Sequence, residues 1–342
     1  MQQELSPGAL LDENGRLAQA GYAKALVKKY ERGAIKAPPS RIKEWDYYYI
    51  GNRDFGLALT IADNSYMGLD SISFLDFQSG YNHTVSPMQL FTFGKKALPP
   101  SSAEGNVTSS GKGYSINFEN KGETRRLSGY MDKFHENTPI QFDVALTEIP
   151  ADSMVIATPF PEKPTAFYYN QKINCMRAEG FVMFAGYKYE FDPRQSFGTL
   201  DWGRGVWTYS NTWYWGSCSA SVEGKRFGFN IGYGFGDTSA ASENMLFYEG
   251  KAHKLSQVAF NIPQKNGKDD YLSPWTFESD DKRFEMDFVP VLNRASCTNA
   301  IVIKSDQNQV FGKFTGKAVL DTGEVIHVKD IMGFAEKVTN RW

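Results

Sequence analysis

Over most of its length the chain alternates apolar and polar residues in short runs separated by turn residues. This is the pattern of half-buried strands. Ile140, Phe142, Val144 and Leu146, for example, alternate with Gln141, Asp143, Ala145 and Thr147. Similar runs predict strands over 55–61, 71–77, 114–118, 167–175 and 180–191, the last two meeting near Ala178-Glu179-Gly180. A second series covers 207–215, 226–235, 244–248, 255–262, 275–278, 283–289, 301–304, 310–319 and 325–328. Asn120-Lys121-Gly122, Tyr248-Glu249-Gly250-Lys251, Ser279-Asp280-Asp281-Lys282 and Asp321-Thr322-Gly323 supply turn chemistry between runs. Two segments differ. Residues 17–31 are rich in Ala, Leu and Lys and predict a helix, stopped by Gly33 and Pro38-Pro39. Residues 95–113 are rich in Pro, Ser and Gly and predict a loop.

Strands at this spacing imply barrels or sandwiches. A chain of 342 residues exceeds the ~250–300 at which single cores stop growing. The expectation is therefore an all-β protein. A helical arm at 1–39 precedes two mainly antiparallel, barrel-like β domains at 40–192 and 193–342. The turn-rich Asp192-Pro193-Arg194-Gln195-Ser196 separates them. No residue-level repeat relates the halves.

Composition then narrows the function. The net charge of −2 and the absence of long basic runs argue against a nucleic-acid partner. Three widely spaced cysteines, Cys175, Cys218 and Cys297, form neither a zinc pattern nor a disulfide framework. The N-terminus lacks a basic start followed by an apolar stretch, and no apolar run reaches ~18 residues. A cytoplasmic protein without a membrane span is expected, and the glycosylation patterns at Asn82 and Asn106 are read as chance. No phosphate loop, nucleophile elbow or dinucleotide fingerprint occurs, so no cofactor is expected. The oligomeric state is not legible.

Aromatic content, with 25 Phe, 18 Tyr and 7 Trp, is the anomaly. Sheets favour aromatics, but the segment 201–244 concentrates them. If 207–215 is one strand, Trp207, Tyr209, Asn211, Trp213 and Trp215 share a face. On the following run, Phe227, Phe229, Ile231, Tyr233 and Phe235 share one face, and Gly228, Asn230, Gly232 and Gly234 the other. Glycines inside a strand mark a bulge or a close approach by a ligand or another backbone. Either a core with glycine bulges or a cavity wall fits. As a wall, the candidate ligand-binding residues are Trp202, Arg204, Trp207, Tyr209, Asn211, Trp213, Trp215, Asn230, Tyr233 and Asn244. Asp201 and Arg204, flanked by Gly203 and Gly205, suggest a tight loop with a fixed ion pair. Asp201 and Glu243 are the candidate catalytic acids, since an aromatic pocket favours the neutral, proton-donating carboxyl.

Four stretches together resemble a known family. They are Asp12-Glu13-Asn14-Gly15-Arg16, Lys43-Glu44-Trp45-Asp46, Leu200-Asp201-Trp202-Gly203-Arg204-Gly205 with Trp207, and Ser242-Glu243-Asn244. The family is the bacterial and fungal domain of unknown function 2804, and the resemblance covers nearly the whole chain. It implies no activity. More remotely, two β halves with a Trp-rich strand resemble the lipocalin-like double-barrel group, which includes carotenoid hydratases, tocopherol cyclases, pericyclases and a ceramide-binding protein. That analogy implies lipocalin-like barrels and a bulky lipophilic partner, but matches no catalytic residue here. The expected function is binding of an isoprenoid, lipid or polyketide, with cofactor-free acid-catalysed cyclisation or hydration if the protein is an enzyme. Carbohydrate binding or cleavage, and a structural role without a catalytic site, remain open alternatives.

Overall fold

The computed structural model describes residues 2–300 and 303–341. Period-two patterning wins almost everywhere, and the result is all-β with mainly antiparallel pairing. The first sheet runs, in spatial order, through 81–85, 67–76, 55–63, 42–51, 197–206, 167–184, 138–147, 125–135, 114–120 and 107–111. It curls until its end strand 81–85 reaches strand 125–135, near the other end. Hydrogen bonds link Tyr81 Oη to His135 Nδ1 at 3.3 Å and His83 Nε2 to the Phe134 carbonyl at 2.8 Å. The second sheet orders 251–254, 245–248, 225–233, 210–222, 325–341, 303–319, 284–300, 275–279 and 258–261. Each sheet encloses its own apolar core.

A third cluster joins them. Tyr47, Tyr49, Leu75 and Phe77 of the first sheet pack against Trp215, Leu292, Phe311 and Phe334 of the second. Ring centroids lie 5.2 Å apart for Tyr49–Phe311 and 5.6 Å for Tyr49–Phe334. The outer face of one barrel is thus the floor on which the other sits.

Several expectations change. Residues 17–31 form no helix, and no α-helix occurs among the described residues. Instead Gly21–Ala23 adds to strand Met154–Pro159, Lys28–Lys29 pairs in parallel with Gly8–Ala9, and short 3-10 turns follow at 32–34 and 39–41. Helix propensity is a weak prior that tertiary pairing overrides. Here Leu10, Leu11, Ala23 and Tyr30 are buried against the first barrel instead of along a helical stripe.

Residues 167–184 are one strand with a bulge, and the chain reverses at Ala185-Gly186 instead of near Gly180. The strand Phe197–Val206 pairs on both sides within the first sheet, so the sheets change over between Val206 and Ser210. Residues 301–302 of one expected strand lie outside the described residues. The turns at Gly122, Gly250 and Gly323 all have positive φ, as their sequences require.

Candidate functional site

Three adjacent strands of the first sheet carry most of the unusual residues, and strand parity sorts them. Ile42–Gly51 pairs with Phe197–Val206, which pairs with Phe167–Phe184. Tyr47, Asp201 and Lys172 stand in one cross-strand row, and Asp46, Trp202 and Gln171 in the next. The first row faces the second sheet, and the second row faces the interior of the first barrel. The Asp201-to-Gly205 run is therefore straight strand that feeds two different places.

The expected Asp201–Arg204 ion pair does not form, because residues three apart on a strand point to opposite faces. Asp201 pairs with Lys172 Nζ at 2.8 Å and accepts from Asn170 Nδ2 at 2.6 Å. Arg204, fully buried, pairs with Asp46 at 3.0 Å inside the barrel, where its guanidinium lies 4.3 Å from the Trp202 ring. Gly203 is required because a side chain there would overlap the Trp45 indole.

The second sheet meets this face with a row of its own, Arg294, Gln309, Glu336 and Trp215, in consecutive register. Trp213 Nε1 and Gln309 Nε2 each donate to the Glu336 carboxylate at 3.0 Å. Trp215 Nε1 donates to Asn230 Oδ1 at 2.7 Å, and Asn230 Nδ2 donates to the Glu243 carbonyl at 2.9 Å. Lys172 Nζ lies 4.0 Å from the centre of the Trp215 ring, joining the two sheets by a cation–π contact.

The glycine face beyond Trp215 is filled by the protein itself. A Cβ on Gly232 would sit 2.9 Å from Glu243 Oε1, and one on Gly228 would sit 2.5 Å from Cys175 Sγ. The missing side chains admit a carboxylate and a neighbouring strand.

The layer between the sheets thus gathers Asp201, Glu243, Glu336 and Lys172 among Trp45, Tyr168, Trp207, Trp213, Trp215 and Phe235. The aromatics interlock. Trp207 packs edge-on against Trp45 at 5.3 Å, Trp213 at 6.0 Å and Phe235 at 4.8 Å. Burial pushes the Glu336 carboxyl up to about 7, against the opposing pull of Trp213, Arg294 and Lys172. Glu243 is also raised by burial, while Lys172 and Asn230 partly restrain it. Asp201, Glu243 and Glu336 keep 8, 6 and 8% of their surface accessible, so water-sized space touches each of them.

Not every expected residue lies here. Residues 207–209 break the strand; Trp207 still turns inward, but Tyr209 is 52% exposed. Asn211 closes a local turn with Thr208. Tyr233 stacks on Tyr214 at 4.5 Å, both partly buried against the second barrel's own core. Asn244 ties Gly232 N to the Ser256 carbonyl. Trp202 and Arg204 belong to the first barrel's interior. Glu336, Gln309, Lys172 and Tyr168 escaped sequence reasoning, because Glu336 and Gln309 fall outside the predicted strands and Lys172 and Tyr168 lie in a strand about thirty residues before the aromatic segment.

A family model described as a domain of unknown function, DUF2804, matches residues 2–342. The chain belongs to the DUF2804 family. No curated protein matches this DUF2804 chain in sequence. Its fold is similar to that of a Nitrosomonas europaea protein given the name AttH, with TM-score 0.55, 12% identity, and 92% of this chain and 98% of that one covered. It is also similar to kievitone hydratase from Nectria haematococca, with TM-score 0.53, 10% identity, and 99% and 98% covered. These likenesses show that the DUF2804 chain shares the double-barrel fold.

Proposed function

We propose that this protein binds a bulky lipophilic small molecule in the layer between its two sheets and adds a proton to it, as a hydratase or cyclase. The observation that carries the reading is the burial of three carboxyl groups and one lysine behind a wall of indole and phenol rings. An aromatic enclosure desolvates a carboxyl and keeps it neutral near pH 7, so it can donate. Ring faces stabilise the carbocation that forms when an alkene is protonated, by ~1–2 kcal/mol each when desolvated. In hydration, the carboxyl gives its proton to one alkene carbon, water adds to the other, and the proton released by that water returns to the carboxylate. In cyclisation, an internal double bond takes the place of water, and loss of a proton restores the acid.

Glu336 and Glu243 are the donors in this reading. Asp201, held by Lys172 and Asn170, positions Lys172. The fold likeness to kievitone hydratase supports the reading without supplying a substrate. Native mass spectrometry of freshly purified protein, followed by extraction, is expected to reveal a retained lipophilic compound. With that compound or its precursor, Glu336→Gln and Glu243→Gln are expected to slow turnover, by ~10²–10⁴-fold for the true donor. Full activity in both folded variants would remove these carboxyls from the mechanism.

A further inference from the structure

At one edge of the first barrel, the segment 88–93 turns its apolar residues to water and its polar ones to the protein. Met88, Leu90, Phe91 and Phe93 are 66, 73, 61 and 44% exposed. Gln89 and Thr92 point inward instead. Gln89 Nε2 donates to Tyr114 Oη at 3.2 Å, and Thr92 Oγ1 donates to the buried Asp63 carboxylate at 2.8 Å. The Gly94 amide donates to the same carboxylate at 2.8 Å, and Lys96 Nζ pairs with the buried Asp70 at 2.7 Å. Two buried carboxylates therefore fix the loop, and the outward rings are held in place. Phe91 and Phe93 have φ +58 and +45, conformations costly for a bulky side chain. Their rings lie parallel, with centroids 6.3 Å apart.

Two further observations define the face. Strand Met88–Leu90 pairs with the start of Met67–Asp76, placing Leu90 opposite Met67 and Met88 opposite Leu69. Residues opposite one another on an antiparallel pair share a face, so the half-buried Met67 and Leu69 extend the apolar surface. The charge pattern is also one-sided. Residues 77–103 contain no Asp or Glu. Lys95 is exposed beside the rings, and the Arg32 guanidinium that adjoins Gly94 is matched by Glu44.

We propose that this face docks on a lipid surface, with Met88, Leu90, Phe91 and Phe93 entering the boundary between headgroups and acyl chains and Lys95 lying at the phosphates. A bilayer accepts an apolar tip without a shape-matched partner. Insertion strips water from no carboxylate of the loop's own, because Asp63 and Asp70 are already buried and hydrogen-bonded. Four exposed side chains and two half-buried ones offer less than the ~800 Å² that each partner gives to a standard protein interface, which disfavours a second copy of the chain. A loop already fixed in its outward form loses little freedom on docking. The proposal does not rest on the interdomain site, and its test uses no substrate.

The test is flotation with phosphatidylcholine vesicles containing a minority of phosphatidylglycerol. The wild-type protein is expected to float with the vesicles and to stay with them in high salt, since salt screens charge and not apolar burial. A double variant, Phe91→Asn with Phe93→Asn, removes both rings, and Asn accepts positive φ more readily than Phe. It is expected to melt no lower than wild type and to lose vesicle affinity by ~10-fold or more. Failure of the wild-type protein to float, or equal flotation of the folded double variant, would overturn the proposal. So would release of the wild-type protein by salt alone, or a wild-type dimer that the double variant turns into a monomer. Should the double variant fail to fold, Phe91→Trp takes its place. Its fluorescence is expected to be quenched by brominated lipid beyond the wild-type level, and no added quenching would overturn the proposal.

Discussion

At the scale of single residues, Glu336 is the informative one. Its carboxyl is pushed up to about 7 in the folded chain, from a usual value of 4.5. The folded state therefore holds a proton that the unfolded state releases between those values. Below pH 4.5 both states are protonated and burial carries no ionisation penalty. As pH rises through 4.5 towards 7 the penalty grows, to about 3 kcal/mol above pH 7. Glu336→Gln cannot ionise, and its amide keeps an acceptor for Trp213. The variant is expected to equal wild type near pH 4.5 and to exceed it in stability by up to that amount at pH 8. Urea unfolding at the two pH values checks this, and a constant difference would show that Glu336 is not protonated on folding. If Glu336 is the donor, turnover is expected to fall as pH rises through about 7. The sequence could not single out this residue. What makes it unusual is the opposite sheet, which no local pattern records.

At the scale of elements, the bulge at Asn174-Cys175 connects the two barrels. Cys175 sits at φ +62, a conformation costly for a residue with a side chain. The bulge drives Asn174 into the second sheet, where Nδ2 donates to Ser217 Oγ at 2.8 Å and lies 3.3 Å from the Phe229 carbonyl. The Cys175 amide donates to Ser219 Oγ at 3.0 Å. Gly228 is the matching notch. Gly228→Ala is expected to cost ~1–3 kcal/mol by overpacking against Cys175 Sγ, and Asn174→Ala a similar amount through lost buried hydrogen bonds. Chemical denaturation measures both, and unchanged midpoints would mean the bulge does not fasten the halves. Burial pushes the Cys175 thiol up to about 12 and the Cys218 thiol well above its usual value, while Cys297 is exposed. One thiol is therefore expected to react with a disulfide reagent in the native protein, and three after unfolding. The glycines at 228 and 232 were legible as marks of close approach. That the approaching groups are Cys175 and Glu243 was not, since Cys175 comes from a distant strand and Glu243 from the loop that follows the glycine strand.

At the scale of the whole molecule, the seam of Tyr47, Tyr49 and Phe77 against Trp215, Phe311 and Phe334 decides whether the barrels unfold together. The seam is apolar and interlocked, so a single cooperative transition is expected, with circular dichroism dominated by β-structure. Tyr49→Ala removes the ring that touches both Phe311 and Phe334. It is expected to cost ~3–5 kcal/mol and to separate the unfolding of the two halves into distinct calorimetric transitions. One unshifted transition would show that the seam adds nothing to cooperativity.

The sequence by itself determined the all-β class, most strand positions, the principal turns and the family. These follow from short-range physics: side chains alternate across a strand, and glycine alone enters certain turns without cost. It also pointed to an aromatic segment containing Trp207, Trp213 and Trp215. Only the tertiary structure decided the rest. It turned a helix-prone stretch into edge strands, because pairing with a formed sheet outweighs tenths of a kcal/mol of propensity per residue. It sent Asp201 and Arg204 to opposite faces and gave them Lys172 and Asp46 as partners. It also brought Glu243 and Glu336 to the face that bears Asp201, which depends on how two curved sheets stack and on nothing within ten residues of any of them.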